Sequence, residues 1–186
     1  MSLAIGLGGN LGGDAAIRAR FERAREALAR WSGHAARSSA LYRTAPIGPV
    51  QPDYWNAAVA LVVDATTLPR ELIATVLEIE ALCGRDRRGE AHWGPRAIDL
   101  DVLAWDARVI DTTRRPSAAL RGPAKPDLAI ATPELVVPHP RLAERRFVIE
   151  PLIDLYGADH AIAGTTLGAL AARVASQRVE RVADTW

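Results

Sequence analysis

The sequence lacks the features that mark several classes of protein. Its 186 residues contain one cysteine, Cys83, which excludes an internal disulfide scaffold and favours a reducing compartment. No apolar run approaches the ~18 residues of a membrane-spanning helix. The first basic residue is Arg18, so the start of the chain has no charged region of the kind found in signal peptides. These absences predict a soluble, cytoplasmic protein that does not bind membranes.

The charge balance leaves little excess of either sign. Lys and Arg number 23 against 22 Asp and Glu, a net charge of +1, so the chain has no strongly basic character of the kind that binds nucleic acid. The hydrophobic share of 49% is too high for a disordered chain. The length predicts a single domain over residues 1–186. All basic residues except Lys125 are arginine, whose planar fork binds phosphate well.

Hydrophobic periodicity predicts the order strand, helix, strand, strand, helix, strand. The expected elements are strand 2–7, a helix that begins after Asp14 as N-cap, strands 34–43 and 55–63, a helix near 67–84, and strand 97–104. This order is typical of an α+β, ferredoxin-like βαββαβ sandwich, an antiparallel sheet with both helices on one face. A C-terminal extension follows.

The later part of the chain is less regular. Residues 109–111 are expected to pair with strand 97–104 through a turn at Asp106. Residues 112–133 contain four prolines and read as an inserted surface loop without an assigned role. A final helix is predicted over 166–174, capped by Thr165 or Thr166.

The glycine-rich start is a tight turn rather than a dinucleotide fingerprint. Counted from Gly6, the third glycine of that motif falls on Leu11. No acidic residue closes a second parallel strand at the required distance. Asn10 remains a candidate for fixing this loop near a ligand.

Two carboxylates near the last predicted strand suggest a metal site. Asp99 and Asp101 alternate with Leu100, so both project to the same side of a strand. Mg²⁺ takes one or two carboxylates together with substrate phosphates. The loop before them carries Arg85, Arg87, Arg88 and Arg96, as a nucleoside-triphosphate site requires. The alternatives are a solvated strand face and an exposed basic loop paired with its own acids.

Two further segments could bind ligand. A proline- and glycine-rich loop leads to Tyr54, a stacking face, and Asn56, which offers both a donor and an acceptor to a heterocycle edge. The segment Pro138-His139-Pro140-Arg141 precedes Arg145 and Phe147, a possible phosphate contact and a second ring. Plain packing is the competing explanation for Tyr54, and a structural histidine for His139.

Together these segments resemble the 6-hydroxymethyl-7,8-dihydropterin pyrophosphokinase family. The resemblance extends over about residues 3–156. Its most specific parts are W-G-P-R-x-x-D-x-D from Trp93 to Asp101 and P-H-P-R from Pro138 to Arg141. Other matches are G-G-N-L-G at 8–12, Y-R-T-A-P-I-G at 42–48, Q-P-D-Y-W-N at 51–56, and I-E with G-R at 79–85.

The resemblance implies a ferredoxin-like α+β fold and transfer of the β,γ-diphosphate of ATP to the hydroxymethyl group of the pterin, releasing AMP. It implies that Asp99 and Asp101 hold two Mg²⁺ ions and that Arg85 and Arg96 are catalytic. The implied pterin contacts are Thr44, Ala45, Ile47, Tyr54, Asn56 and Phe147. The implied ATP contacts are Glu80, Arg87, Trp93, Arg96, Val102, His139 and Arg145. We expect a cytoplasmic monomer that binds small molecules only.

Two other functions stay open. Glu134 and Val136 stand where some family members carry Arg and Thr that contact ATP, so a paralogue that binds without turnover is one alternative. Arg114, Arg115 or Arg121 of the insertion could replace those contacts. RNA binding is the other alternative, because ferredoxin-like sheets also serve RNA-recognition modules. Such a module needs aromatic side chains on its central strands, and residues 97–104 contain none.

Overall fold

A computed structural model describes residues 1–46, 48–88, 94–113 and 134–186, called the described residues below. The first elements are β1 (Ser2–Gly9), α1 (Gly13–Ser32), β2 (Arg37–Ser38), β3 (Leu41–Thr44), β4 (Tyr54–Val62), α2 (Pro69–Leu82) and β5 (Asp99–Trp105). Then follow β6 (Ile110–Asp111), β7 (Val136–Val137), a 3₁₀ helix (Leu142–Glu144), α3 (Arg146–Tyr156), β8 (Ala161–Ile162), β9 (Thr165–Thr166), α4 (Leu167–Arg173) and β10 (Glu180–Ala183).

The main sheet is antiparallel, with the strand order β10-β3-β4-β1-β5 and β2 beside β4. Strand β1 is an interior strand and pairs with β4 from Ser2↔Val62 to Gly9↔Trp55. On its other side β1 pairs with β5, including Gly8↔Asp99 and Gly6↔Asp101. The acidic strand is therefore a direct neighbour of the glycine-rich strand. The fold is a mixed α/β structure with an antiparallel sheet.

Helices cover both faces of this sheet. Phe21 of α1 and Leu72 of α2 are fully buried in one cluster with the β-strand residues Ile5 and Val59. Burying a side chain of this size stabilises the fold by about 1.5–3 kcal/mol. The predicted placement of these two helices on a common face agrees with that cluster.

The C-terminal extension supplies the second helical layer. Ile149 and Leu152 of α3 and Leu167 of α4 form another cluster with Leu103. The sheet presents four small side chains to this layer, which allow α3 to lie close to the strands: Ala4, Ala58, Ala60 and Ala104. At the edge of the sheet, β10 pairs with β3 and leaves β3 with a partner on both sides.

Helix boundaries follow the predicted signals in most places. Helix α2 begins at Pro69, and Glu71 Oε2 accepts a hydrogen bond from the backbone N–H of Leu68 (3.0 Å). Gly84 follows the end of this helix with φ of 87°, which only glycine adopts without strain. Helix α4 is capped by Thr166 as expected, because its Oγ1 accepts from the Ala169 N–H (3.3 Å).

The predicted start of α1 is wrong. The helix begins at Gly13, and its N-cap is Gly12, with φ of 91° and no side-chain cap. Asp14 instead lies in the first turn, where its charge favours the positive end of the helix dipole. A glycine in this conformation can turn the chain from β1 into the helix without a capping side chain.

The predicted partner of strand 97–104 is also wrong. Strand β6 pairs with β7 through Ile110↔Val137 and Asp111↔Val136. At the end of β5, the Asp106 N–H donates to Ser2 O (2.8 Å), and the Ser2 N–H donates to Asp106 Oδ1 (2.9 Å). These bonds tie the turn to the start of β1, so the chain does not return along β5. Residues 114–133 of the predicted insertion lie outside the described residues.

Candidate active site

A cleft of about 850 Å³, counted to its open mouth, lies over the middle of the sheet. Gly8 of β1 lies at its floor and has no side chain to fill it, whereas the Leu103 side chain lies over Gly6. A Cβ atom on Gly8 would lie 3.9 Å from both Asn56 Oδ1 and Asp99 Cβ. Gly8 therefore separates a residue predicted to bind pterin from one predicted to bind metal, and its small size keeps the space between them open.

Five of the predicted pterin residues line this cleft: Thr44, Ala45, Tyr54, Asn56 and Phe147. Asn56 is buried, and its Nδ2 donates to Thr44 Oγ1 (3.0 Å) and to Tyr54 O (3.3 Å). These bonds fix the amide so that its Oδ1 lies beside Gly8. The Tyr54 hydroxyl donates to Gly94 O (2.9 Å) and thereby ties the ring to the segment that leads to Arg96. Ile47 lies outside the described residues.

The predicted metal ligands also lie in the cleft. Asp99 and Asp101 line it, whereas Leu100 between them is buried in the core on the side of α1 and α2. Asp99 accepts hydrogen bonds from two arginines, from Arg85 Nη1 on Oδ1 and from Arg96 Nη1 on Oδ2 (2.8 Å). Burial and the neighbouring charge of Asp99 raise the pKa of Asp101 to about 6. The two carboxylates share a face and repel each other.

Glu80 lies behind this acidic pair rather than in the cleft. Its side chain is 1% exposed, and Oε1 accepts from Arg85 Nη1 (2.6 Å) and from the Leu100 N–H (2.8 Å). Its other oxygen accepts from Arg87 Nη2. Burial raises the pKa of Glu80 although three donors contact it. Glu80 orients Arg85 against Asp99, and a direct contact with ATP stays a prediction.

Two arginines in the cleft have buried donors without acceptors. Arg96 and Arg145 line the cleft, and the Nε of each is buried with no hydrogen-bond partner among the residues whose placement is described. Burial, followed by the nearby charge of Arg141, lowers the pKa of Arg145. Buried donors of this kind normally have a partner. An anionic ligand in the cleft would supply one.

Three other predicted ATP residues do not line the cleft. Val102 is buried in the core on the α1 and α2 side, and the half-exposed Arg87 contacts Glu80. His139 is partly buried, its N–H donates to Leu103 O (2.9 Å), and its Nδ1 accepts from the Arg141 N–H (3.1 Å). Burial, and then the charges of Arg145 and Arg141, lower the pKa of His139. Trp93 lies outside the described residues.

The site contains two further residues: Asn10, predicted only as a candidate for fixing its loop near a ligand, and Arg141, which was missed as a site residue. Asn10 is buried, its Nδ2 donates to Gln51 Oε1 and Pro52 O (both 3.0 Å), and its Oδ1 accepts from the Arg96 N–H (2.8 Å). It therefore joins the loop before Tyr54 to the Arg96 segment. Arg141 lines the cleft with Arg145. Their four-residue spacing was the signal available for Arg141.

These features define a class of site. A cleft with paired carboxylates, buried arginine donors and a pocket with two rings and an amide suits an enzyme that transfers a phosphate group to a flat heterocycle.

The comparisons with known proteins specify the class further. The family model described as 7,8-dihydro-6-hydroxymethylpterin-pyrophosphokinase (HPPK) matches residues 4–157. The 2-amino-4-hydroxy-6-hydroxymethyldihydropteridine pyrophosphokinase of Methylorubrum extorquens is 37% identical over 180 residues, 96% of each chain. That of Bacillus subtilis is 34% identical over 157 residues, 81% of this chain and 75% of the relative. The chain belongs to the HPPK family.

Solved structures agree on the fold. The crystal structure of Plasmodium falciparum HPPK-DHPS wild type with pteroate superposes with a TM-score of 0.62 at 13% identity. The match covers 94% of this chain but 44% of the Plasmodium chain, so the present chain spans less than half of that protein. At this level of identity the likeness concerns the fold alone.

Family membership confirms the predicted activity. The enzyme transfers the diphosphate of ATP to hydroxymethyldihydropterin in folate biosynthesis, with ATP as co-substrate. This activity is favoured over the RNA-binding alternative. Within the described residues, no helix has the length and apolar character needed to cross a bilayer.

Proposed function

We propose that the cleft binds ATP and the pterin side by side and that Mg²⁺ is required for the transfer. The pterin hydroxyl oxygen attacks the β-phosphorus, and the bond from that phosphorus to the oxygen bridging the α- and β-phosphates breaks. AMP leaves with the bridging oxygen, and the hydroxyl proton passes to solvent. The observation that carries this proposal is the common cleft that places Asn56 and Asp99 on either side of Gly8.

In this proposal the pterin lies between the rings of Tyr54 and Phe147, with its polar edge toward Asn56 and Thr44, all of which line the cleft. The hydrogen bonds that Asn56 donates to Thr44 Oγ1 and Tyr54 O hold its amide in one orientation. A fixed amide can read the donor and acceptor pattern of a heterocycle without losing conformational freedom on binding. Ala45 also lines the cleft, and Ile47 is proposed as a further contact.

The acidic pair fits Mg²⁺. Asp99 and Asp101 face the same space, and burial together with the charge of Asp99 raises the pKa of Asp101. A divalent cation between the two carboxylates would reduce this repulsion. Two protein carboxylates are a usual number for Mg²⁺, which completes its shell with water and substrate phosphates. Divalent ions held there, two by our proposal, would neutralise triphosphate charge and orient the β-phosphorus.

The arginines supply the remaining positive charge. The buried Nε groups of Arg96 and Arg145 are placed to donate to phosphate oxygens. Arg96 also keeps its contact with Asp99, so it lies at the junction of metal and phosphate. Arg85, held by Glu80, orients Asp99, and we propose that it acts on the phosphates together with Arg96. Glu80, Arg87, Trp93, Val102 and His139 are proposed to complete the ATP site.

We propose that β1, β3, β4 and β5 form a ferredoxin-like core, because their order in the sheet, β3-β4-β1-β5, is the order of the four strands of that fold. We also propose that this core is part of a single domain over residues 1–186. Monomeric state and cytoplasmic location stay predictions.

An AMP-release assay tests the proposal. Purified protein with ATP, Mg²⁺ and hydroxymethyldihydropterin should release AMP and form the pterin diphosphate in equal amounts. Omitting the pterin, or chelating Mg²⁺ with EDTA, should abolish release. Release that continues in EDTA would contradict the metal requirement. Absence of AMP under every condition would instead favour a paralogue that binds without turnover.

A further inference from the structure

The segment after residue 157 contacts the backbone next to Arg145, a residue that lines the cleft. The match to the family model ends at residue 157, and the chain continues through β8, β9, α4 and β10. Between α4 and β10 lies a short stretch that contains Gln177. Its carboxamide reaches back to the chain on either side of Arg145.

Gln177 makes two hydrogen bonds of good length to the backbone. Its Nε2 donates to Glu144 O (2.7 Å), and its Oε1 accepts from the Arg146 N–H (2.9 Å). A primary amide can donate and accept at once, so one side chain satisfies both backbone groups. The two bonded groups flank Arg145, so the amide holds the chain immediately before and after that residue.

The backbone at Arg145 needs such support. Arg145 ends the 3₁₀ helix and is the N-cap of α3, with extended dihedral angles (φ −125°, ψ 105°) and no side-chain cap. The carbonyl of Glu144 and the N–H of Arg146 therefore lie at helix ends, where backbone groups lack helical partners. Gln177 supplies partners to both. The extended dihedral angles of Arg145 set the direction in which its side chain leaves the backbone.

The contact is reciprocal. The Arg146 guanidinium donates to Ala175 O (3.0 Å) and Gln177 O (3.1 Å), and its Nε donates to Glu150 Oε1 (2.8 Å). Arg146 thus fixes the backbone that carries Gln177, while Gln177 fixes the backbone that carries Arg145. These hydrogen bonds fix the position of residues 144–146 relative to residues 175–177, although the two segments are far apart in sequence.

We propose that Gln177 is a positioning residue for ATP binding, which acts by holding Arg145 with its guanidinium in the cleft. The inference rests on the proposed role of Arg145 in binding phosphate. It assigns a function in the active site to the segment beyond the family match. Gln177 itself does not line the cleft.

Steady-state kinetics with Gln177→Ala and Gln177→Met test the inference. Methionine has a similar length but neither hydrogen-bonding group, so it separates bonding from packing. Both variants should raise KM for ATP roughly three- to tenfold, the range for losing hydrogen bonds of ordinary net strength, and leave kcat within about twofold. KM for the pterin should change little. The neighbouring exposed Ser176, changed to alanine, is the matched control and should behave as wild type.

A double-mutant cycle with Arg145→Ala separates positioning from a general structural role. In the Arg145→Ala background, Gln177→Ala should add less than about twofold to KM for ATP, because the residue it positions is gone. Effects that multiply fully would overturn the inference. So would an unchanged KM in both Gln177 variants while Arg145→Ala has a raised KM. A normal KM for ATP in Arg145→Ala would show that the proposed role of Arg145 itself fails.

Discussion

The buried pair of Glu80 and Arg85 gives a sharp prediction for stability. Glu80 accepts hydrogen bonds from Arg85, from Arg87 and from the Leu100 N–H, and its side chain is almost fully inaccessible. Glu80→Ala leaves Arg85 buried with Asp99 as its remaining carboxylate in the described contacts. Glu80→Gln removes the charge but keeps an acceptor for Leu100.

The magnitude follows from the burial of the pair. Removing one partner of a buried ion pair costs about 3–5 kcal/mol. Because Arg85 keeps its contact with Asp99, we expect Glu80→Ala to lose about 3 kcal/mol of stability, the lower end of that range. With an m-value of about 2 kcal/mol/M in urea, the unfolding midpoint of Glu80→Ala should fall by about 1.5 M. Glu80→Gln should lose about 1–2 kcal/mol, because it keeps an acceptor for Leu100 but leaves the buried Arg85 charge without this carboxylate.

Urea unfolding followed by circular dichroism measures these shifts. The matched control is Glu26→Ala, which removes an exposed pair with Arg30 (3.7 Å) and should cost less than about 0.5 kcal/mol. A midpoint for Glu80→Ala within about 0.3 M of wild type would refute the reasoning, as would a Glu80→Gln variant less stable than Glu80→Ala.

Three further predictions concern the cleft. Arg96→Ala should lower kcat by about 10²-fold with a smaller change in KM for ATP, because the Arg96 guanidinium donates to the phosphates as negative charge develops in the transition state. Steady-state kinetics that give a normal kcat and a raised KM would show that Arg96 contributes to ground-state binding only. Asp101 has a pKa of about 6 in the fold against 3.8 in the unfolded chain. The folded state therefore holds this proton more tightly, and the contribution of Asp101 to stability falls as pH rises from about 4 to about 6. Without metal, Asp101→Asn should be more stable than wild type near pH 7 and lose this contribution. Urea titrations in which the difference in stability between the two proteins is the same at about pH 4 and about pH 7 would contradict the assignment. Gly8→Val should place a branched side chain between Asn56 and Asp99 and raise KM for the pterin about tenfold or more, with little change in the unfolding midpoint; an unchanged KM would show that Gly8 does not form the cleft floor.

Local rules predicted the parts of this fold that depend on neighbours in sequence. The shared face of Asp99 and Asp101 follows from the two-residue period of a strand, and both residues line the cleft. The bounds of α2 follow from Pro69 and Gly84, because each residue has a specific backbone preference. The predicted grouping of Thr44, Tyr54 and Asn56 is also found, because these residues lie on the adjacent strands β3 and β4, which are close in sequence.

Other features depend on pairing between distant segments and could not be predicted locally. Gly8 was expected in the turn after strand 2–7, whereas the structure places it inside strand β1, at the floor of the cleft. The two residues paired with Gly8, Asn56 and Asp99, belong to the neighbouring strands. Which residues lie beside Gly8 therefore depends on the order of the strands in the sheet. In the same way, the deep burial of Glu80 depends on α2 packing against β5.

The C-terminal part shows the same limit. No local signal placed α3 on the opposite face of the sheet or β10 beside β3, because both positions are set by long-range packing. The contact of Gln177 with the residues around Arg145 joins positions more than 30 residues apart in sequence. A polar side chain in a loop carries no local indication of such a partner.

Counting bound divalent ions tests the central claim most directly. Mn²⁺ can replace Mg²⁺ and be followed by electron paramagnetic resonance in the presence of the pterin and α,β-methylene-ATP, an analogue that cannot release AMP. The account predicts two ions per wild-type chain, and at most the one carried by the nucleotide in the double variant Asp99→Ala, Asp101→Ala. Two ions bound with unchanged affinity in that variant would contradict it.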